Sequence, residues 1–209
     1  NERCLIVIRK QHTIRKPVSY KGNSLHSGMP VTMTMHPAKP GTGILFRRSD
    51  LPGMPEVPAD SRYITSTMRA TTLEKGPAKV FTVEHLLSAL YALNIDNCII
   101  EMDSPEPPVG DGSAKTFVDM VEEAGIEEQD EEIPVLTLDR SVAIYEGKKF
   151  ITALPYDGLR ITFTSINPHP LLGTQMVDIV IDHDSYMKEI ASARTIGFTW
   201  ELEAMRKMG

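Results

Sequence analysis

The chain is poor in cysteine, with Cys4 and Cys98 as its only two. They form no Cys-x-x-Cys pair and are too few for a disulfide framework, which excludes a secreted disulfide scaffold and fits a reducing, cytoplasmic compartment. No apolar run approaches the roughly 18 residues that a membrane span needs. The first apolar stretch, residues 5–8, is too short for the core of a signal peptide and reads as a leading strand or an extension. Positive charge is not in excess either: 22 basic against 28 acidic residues give a net charge of -6. Neither nucleic acid nor an anionic membrane surface is therefore indicated as a bulk electrostatic partner. Low-complexity segments and short-period repeats are absent. What is left is a soluble chain of 209 residues, enough for one large domain or two small ones.

The first ninety residues alternate short apolar runs with Gly and Pro, as at 31–35 and 43–46, which predicts strands and hairpins. Three prolines between 51 and 62 cannot donate to a central ladder, so that stretch is expected to be loop or sheet edge with little core. A helix is predicted next, with Thr82 as its N-cap and Val83, Leu86, Leu87, Leu90 and Leu93 at helical spacing. Phe81 and Leu86 would flank its start as a hydrophobic staple, and Asn94 would stop it in the left-handed conformation. A buried strand at 97–102 and a helix burying Phe117, Val118, Val121 and Ala124 up to Gly125 follow. The acidic run 127–132 reads as a solvated loop and domain linker, because like charges repel and resist burial. Beyond it, strands are predicted at 135–138, 142–145, 150–154, 159–163 and 176–181, and a helical tail at 199–208. Strands with two helices, then strands with helices, predict an α+β fold of two similar layers.

The chemistry concentrates at Glu84 and His85, an acid and an imidazole in the first turn of an otherwise apolar helix. Adjacent helical residues point about 100° apart. His85 could therefore hold a metal while Glu84 reaches a metal-bound water as general base. The same pair has a plain reading: a glutamate in a first turn complements the helix macrodipole, and the histidine is simply exposed. One ligand does not make a site, since catalytic zinc takes about three protein ligands and a water. The residues alone leave both readings open.

Several separated motifs then occur in order: Lys10-Gln11-His12-Thr13-Ile14, Leu25-His26-Ser27-Gly28, Thr67-Met68, Thr82-Val83-Glu84-His85-Leu86, Ile95-Asp96-Asn97, Pro105-Glu106 leading into Asp111-Gly112-Ser113-Ala114, and Ala193-Arg194-Thr195 with Gly197-Phe198. Together they resemble the UDP-3-O-acyl-N-acetylglucosamine deacetylases, zinc enzymes of lipid A biosynthesis, and the likeness runs from Lys10 to Gly209. The resemblance implies two similar layered β-α-α-β sandwich domains, the second incomplete here: residues 1–127 carrying Glu84 and His85, an acidic linker at 128–134, and the beginning of the second domain at 135–209.

For the site, the resemblance implies Glu84 as general base, His85 as a ligand of one zinc ion, and Thr195 as a hydroxyl supporting the oxyanion. Met68 would pack the substrate, and Leu25, Thr199 and Leu202 would border the passage for the acyl chain. His26 would stand near the cleft and Lys149 near the nucleotide phosphate. Two more zinc ligands and a general-acid histidine are expected beyond Gly209, so the site is incomplete in this chain and the 209 residues alone are expected to be inactive. Two positions depart from the family: Asn167, where an aromatic that could stack on uracil is often found, and Ile196, where an aromatic is usual. The expected function is cytoplasmic, zinc-dependent hydrolysis of the N-acetyl group of a UDP-linked acylated glucosamine, the committed step of lipid A biosynthesis, by a monomer. The alternative is a non-catalytic binding or scaffolding module.

Overall fold

A computed structural model describes residues 7–167, 169–195 and 197–198. Among these residues it forms fourteen strands and three α-helices. In chain order they begin with β1 (Val7–Ile14), β2 (Val18–Asn23), β3 (Pro30–Pro37), β4 (Ile44–Arg48), β5 (Glu56–Pro58), β6 (Ile64–Ser66), β7 (Thr72–Lys75) and β8 (Ala78–Phe81). Helix α1 (Glu84–Ala92), β9 (Cys98–Met102), α2 (Lys115–Ala124) and β10 (Ile126–Val135) follow. Next come β11 (Val142–Glu146), β12 (Lys149–Ala153), β13 (Arg160–Ile166) and β14 (Thr174–Val180). A short helix, α3 (His183–Ser185), then runs into a π-helical turn, Tyr186–Ile190.

The centre is a five-stranded sheet in the order β2-β3-β9-β4-β5, antiparallel except between β4 and β9. Its strands follow the period of two that a half-buried sheet requires: Val31, Met33 and Met35 of β3 and Cys98, Ile100 and Met102 of β9 all point into the core. The two helices close that core with Leu86, Ala89 and Leu90 from α1 and Phe117, Val118 and Val121 from α2. A three-stranded sheet, β6-β7-β8, adds Leu73 and Val80 to the same cluster. The fold is thus mixed α+β, as the alternation of periods predicts.

A buried amide network joins β1 and β10 to this body. Asn97, 1% exposed, donates to Gln11 Oε1 at 2.7 Å and to Gln129 Oε1 at 2.8 Å, and accepts from the Gly43 amide at 2.9 Å. Thr13 donates to the Asn97 carbonyl at 2.6 Å, while Asp96 takes a two-pronged pairing from Arg9 at 2.6 and 2.7 Å. The motifs at 10–14 and 95–97 are therefore structural: buried polar groups must be bonded, and these bond one another.

Four sequence expectations change. The acidic run 127–132 is no loop; it lies within β10, paired antiparallel with β1. Pairing satisfies the backbone while the charged side chains stay in water, so like-charge repulsion bars burial but not a strand. Thr82 is not the N-cap of α1, which begins at Glu84 after Val83 with no side-chain cap. Thr82 has φ 58, outside the extended region that N-caps use, and its hydroxyl is engaged elsewhere. Val57 of β5 is fully buried at the sheet edge, so the proline-rich stretch does contribute core. Finally, β10 ends at Val135 and residues 136–138 form no strand, whereas the helical segment 183–190 has no counterpart in the sequence expectations. Asn94 does end α1 in the left-handed region, φ 55, and Gly125 ends α2 at φ 72. The tail expected at 199–208 lies outside the described residues.

Candidate functional site

The start of α1 puts Glu84 and His85 where the chain emerges from β8. Burying Leu86, Ala89 and Leu90 against the sheet turns the opposite side of the first turn outward, so Glu84 is exposed and His85 half-buried. The Glu84 carboxylate accepts from the backbone N–H of Thr71. That bond ties it to the residue that leads into β7; Met68, three positions earlier in the chain, is 84% exposed.

Behind the helix start lies a residue to which no role is assigned by sequence reasoning. Glu106 is completely buried, and a buried carboxylate requires hydrogen-bond donors around it. It has them: Thr82 Oγ1 at 2.8 Å from Oε1, His26 Nδ1 at 2.7 Å from Oε1, and the His26 backbone N–H at 3.0 Å from Oε2. A β-branched residue in the left-handed region is strained by roughly 1–3 kcal/mol, and the bond to Glu106 holds Thr82 there. The His26 ring also meets Phe81 edge-on at 6.0 Å. Leu25, next to His26, is 43% exposed. In the sequence Glu106 stands out only as part of the Pro105-Glu106 motif, with a proline on either side, which gives no hint of burial.

The loop carrying Glu106 also receives the second half of the chain. The Thr195 backbone N–H donates to the Gly112 carbonyl at 3.0 Å, and Arg194 approaches Asp111 at 3.9 Å. Asp111 accepts from the Ser113 hydroxyl at 2.6 Å, which holds its carboxyl below the ordinary range. Tyr186, buried, bonds Ser88 of α1 at 2.9 Å through its hydroxyl, and burial pushes that phenol upward. Of the residues singled out from sequence, Glu84, His85 and His26 thus meet at the β8–α1 junction, with Leu25 next to His26 in the chain and Met68 in the segment before Thr71, and Thr195, itself exposed, is docked on the loop that carries Glu106. Lys149 stands apart in β12, opposite Glu146, on a two-stranded hairpin. Thr199 and Leu202 lie outside the described residues.

Among the described residues, no three His, Cys, Asp or Glu side chains come together in a way that could hold a metal ion. His85 alone does not fit a zinc centre of about three protein ligands. Cys98 is not a candidate, since burial in β9 pushes its thiol up to about 12. No described helix is long and apolar enough to cross a membrane.

Residues 11–209 match the family of UDP-3-O-acyl N-acetylglycosamine deacetylases. Curated relatives bearing the name UDP-3-O-acyl-N-acetylglucosamine deacetylase agree with it over 200 residues. That of Bdellovibrio bacteriovorus is 42% identical, that of Legionella pneumophila strain Corby 42% and that of Pseudomonas entomophila 41%. In each case the match takes in 95% of this chain and 66% of the relative. The chain therefore spans just under two-thirds of the length of the relatives it matches.

Proposed function

Because this chain belongs to the UDP-3-O-acyl N-acetylglycosamine deacetylase family, we propose that the protein hydrolyses the N-acetyl group of UDP-3-O-acyl-N-acetylglucosamine, the committed step of lipid A biosynthesis, in the cytoplasm and as a monomer. The observation that carries this reading is the exposed Glu84 carboxylate beside His85 at the start of α1. Amide hydrolysis needs a base within hydrogen-bond reach of the attacking water, a donor for the oxyanion and an acid for the leaving amine. Glu84 takes the water proton and the Thr195 hydroxyl meets the oxyanion. Leu25 and Met68, with Thr199 and Leu202, receive the apolar acyl chain, and Lys149 meets phosphate as a point charge.

When bound, a zinc ion would supply Lewis acidity, with His85 as one of its ligands. The described residues alone do not fit that ion, and none of the proton transfers assigned here depends on it. The remaining ligands and the general acid we place, with the completion of a second layered domain after residues 1–127, in the part of the relatives that this chain does not span.

The test is acetate release by two proteins: the 209 residues alone, and the same residues joined to the remaining third of the Bdellovibrio bacteriovorus relative. The joined protein turns over, and Glu84→Gln in it lowers kcat by about a hundred- to ten-thousandfold, the range of general-base catalysis. The unjoined chain binds substoichiometric zinc and releases no acetate. A joined protein that folds and takes up zinc but releases no acetate overturns the deacetylase reading. Turnover by the unjoined chain overturns its incompleteness.

A further inference from the structure

Three parts of the chain that are distant in sequence meet at one buried side chain. The turn after β2 brings His26, the β8–α1 junction brings Thr82, and the loop between β9 and α2 brings Glu106. The loop is itself pinned on both sides: the Phe81 amide donates to the Pro105 carbonyl at 3.0 Å, and the Val109 amide donates to the Asn23 carbonyl at 2.8 Å. Glu106 is thus fixed by backbone before its side chain makes any bond.

An ionised carboxylate only accepts hydrogen bonds. With the His26 backbone N–H on Oε2 and the Thr82 hydroxyl on Oε1, the ring nitrogen 2.7 Å from Oε1 must carry a proton. Neutral histidine has one ring N–H, and the partner of one nitrogen decides the state of the other. Nε2 of His26 has no hydrogen-bond partner among the described residues, and the His26 side chain is 32% exposed against 0% for Glu106.

We propose that Glu106 is a positioning residue for the site: it holds His26 as the Nδ1–H form, turning Nε2 into a hydrogen-bond acceptor for a hydroxyl or amide N–H of the bound ligand, and it anchors Thr82 so that Glu84 and His85 open α1 in one orientation. The ligand part of this inference rests on the deacetylase reading above. The tautomer part rests on the geometry alone.

Glu106→Gln is a discriminating change. The amide would offer one acceptor oxygen where the carboxylate offers two, so the Thr82 hydroxyl, Nδ1–H and the His26 backbone N–H cannot all be served. The experiment is a tautomer-sensitive long-range proton–nitrogen correlation spectrum of the 209-residue chain labelled with heavy nitrogen. His26 is assigned by the signal lost in His26→Gln. The expected result is protonated Nδ1 and unprotonated Nε2 in the unmodified protein, retained in Thr82→Val and lost in Glu106→Gln. Protonated Nε2 with bare Nδ1 in the unmodified protein overturns the proposal whether or not any variant folds. So does a folded Glu106→Gln whose His26 keeps its original state.

In the joined deacetylase, Glu106→Gln is expected to lower kcat/KM by about ten- to hundredfold, the size seen when a metal-bound histidine loses its orienting hydrogen-bond partner, with Thr82→Val lowering it less. Unchanged kcat/KM in Glu106→Gln overturns the ligand part. Absence of acetate release from the unmodified joined protein would instead count against the deacetylase reading and leave the tautomer result standing.

Discussion

The body of the molecule and its later hairpins are built from the same kind of strand and end in opposite states. In β3, Val31, Met33 and Met35 are 2%, 0% and 0% exposed; in β13, Phe163 is 61% exposed, and in β14, Met176 is 69% exposed. Both regions alternate apolar and polar residues. The difference is what lies across the apolar face. Among the described residues, two helices cover the five-stranded sheet, whereas β11–β12 and β13–β14 are separate two-stranded units. A strand's local pattern gives it an apolar face, but burial, and the stability that comes with it, depends on a second layer. What ties the second region to the first is the segment after β14, where Tyr186 and Ala191 join the core of the body.

Hydrogen exchange measures this contrast most directly. Amides of β3, β9, α1 and α2 are expected to exchange through global opening, and those of β11 to β14 at least about a thousandfold faster, since local opening spans the whole range up to global stability. Equal protection in both regions would remove the distinction. Side-chain truncation comes next. Leu86→Ala in the body is expected to cost about 2–5 kcal/mol by urea unfolding, while Phe163→Ala in β13 stays within about 0.5 kcal/mol, as for exposed positions. A large loss from Phe163→Ala would mean that the hairpins share the body's core. Tyr186→Phe probes the tether by leaving the Ser88 hydroxyl without its 2.9 Å partner, and about 0.5–1.5 kcal/mol is expected to be lost.

The smallest effect belongs to the Arg160–Asp178 pair across β13 and β14, at 2.5 Å. Its hydrogen bond holds the Asp178 carboxyl at about 2, below the ordinary 3.8. A lowered carboxylate contributes above its unfolded value and loses that contribution as pH falls through about 2. Carbon-detected titration should find that midpoint in the unmodified chain and a return toward the ordinary value in Arg160→Gln. At so exposed a pair the body's unfolding should not follow this titration.

Legibility was uneven for physical reasons. The apolar faces of α1 and α2 and the strands of the sheet could be read because their periods of 3.6 and two appear in consecutive residues. The left-handed stop at Asn94 could be read from residue type. The N-cap could not: Thr82 is the right kind of residue, but Glu106, 24 positions later, takes its hydroxyl. Charge also misled at 127–132, because repulsion between side chains says nothing about whether the backbone finds a ladder, and β1 supplies one.

The residue types that can do chemistry, Glu84 and His85, and the ordered motifs that place the chain in its family, were present in the sequence itself. Local propensity and helical spacing suffice to put an acid and an imidazole on the first turn of one helix. The tertiary structure alone decided that Glu106 is buried, that it meets His26 and Thr82, and that Thr195 docks on the same loop at Gly112. These are contacts between segments far apart in the chain. Their existence depends on how two helices and a sheet close over one core, which no window of consecutive residues encodes.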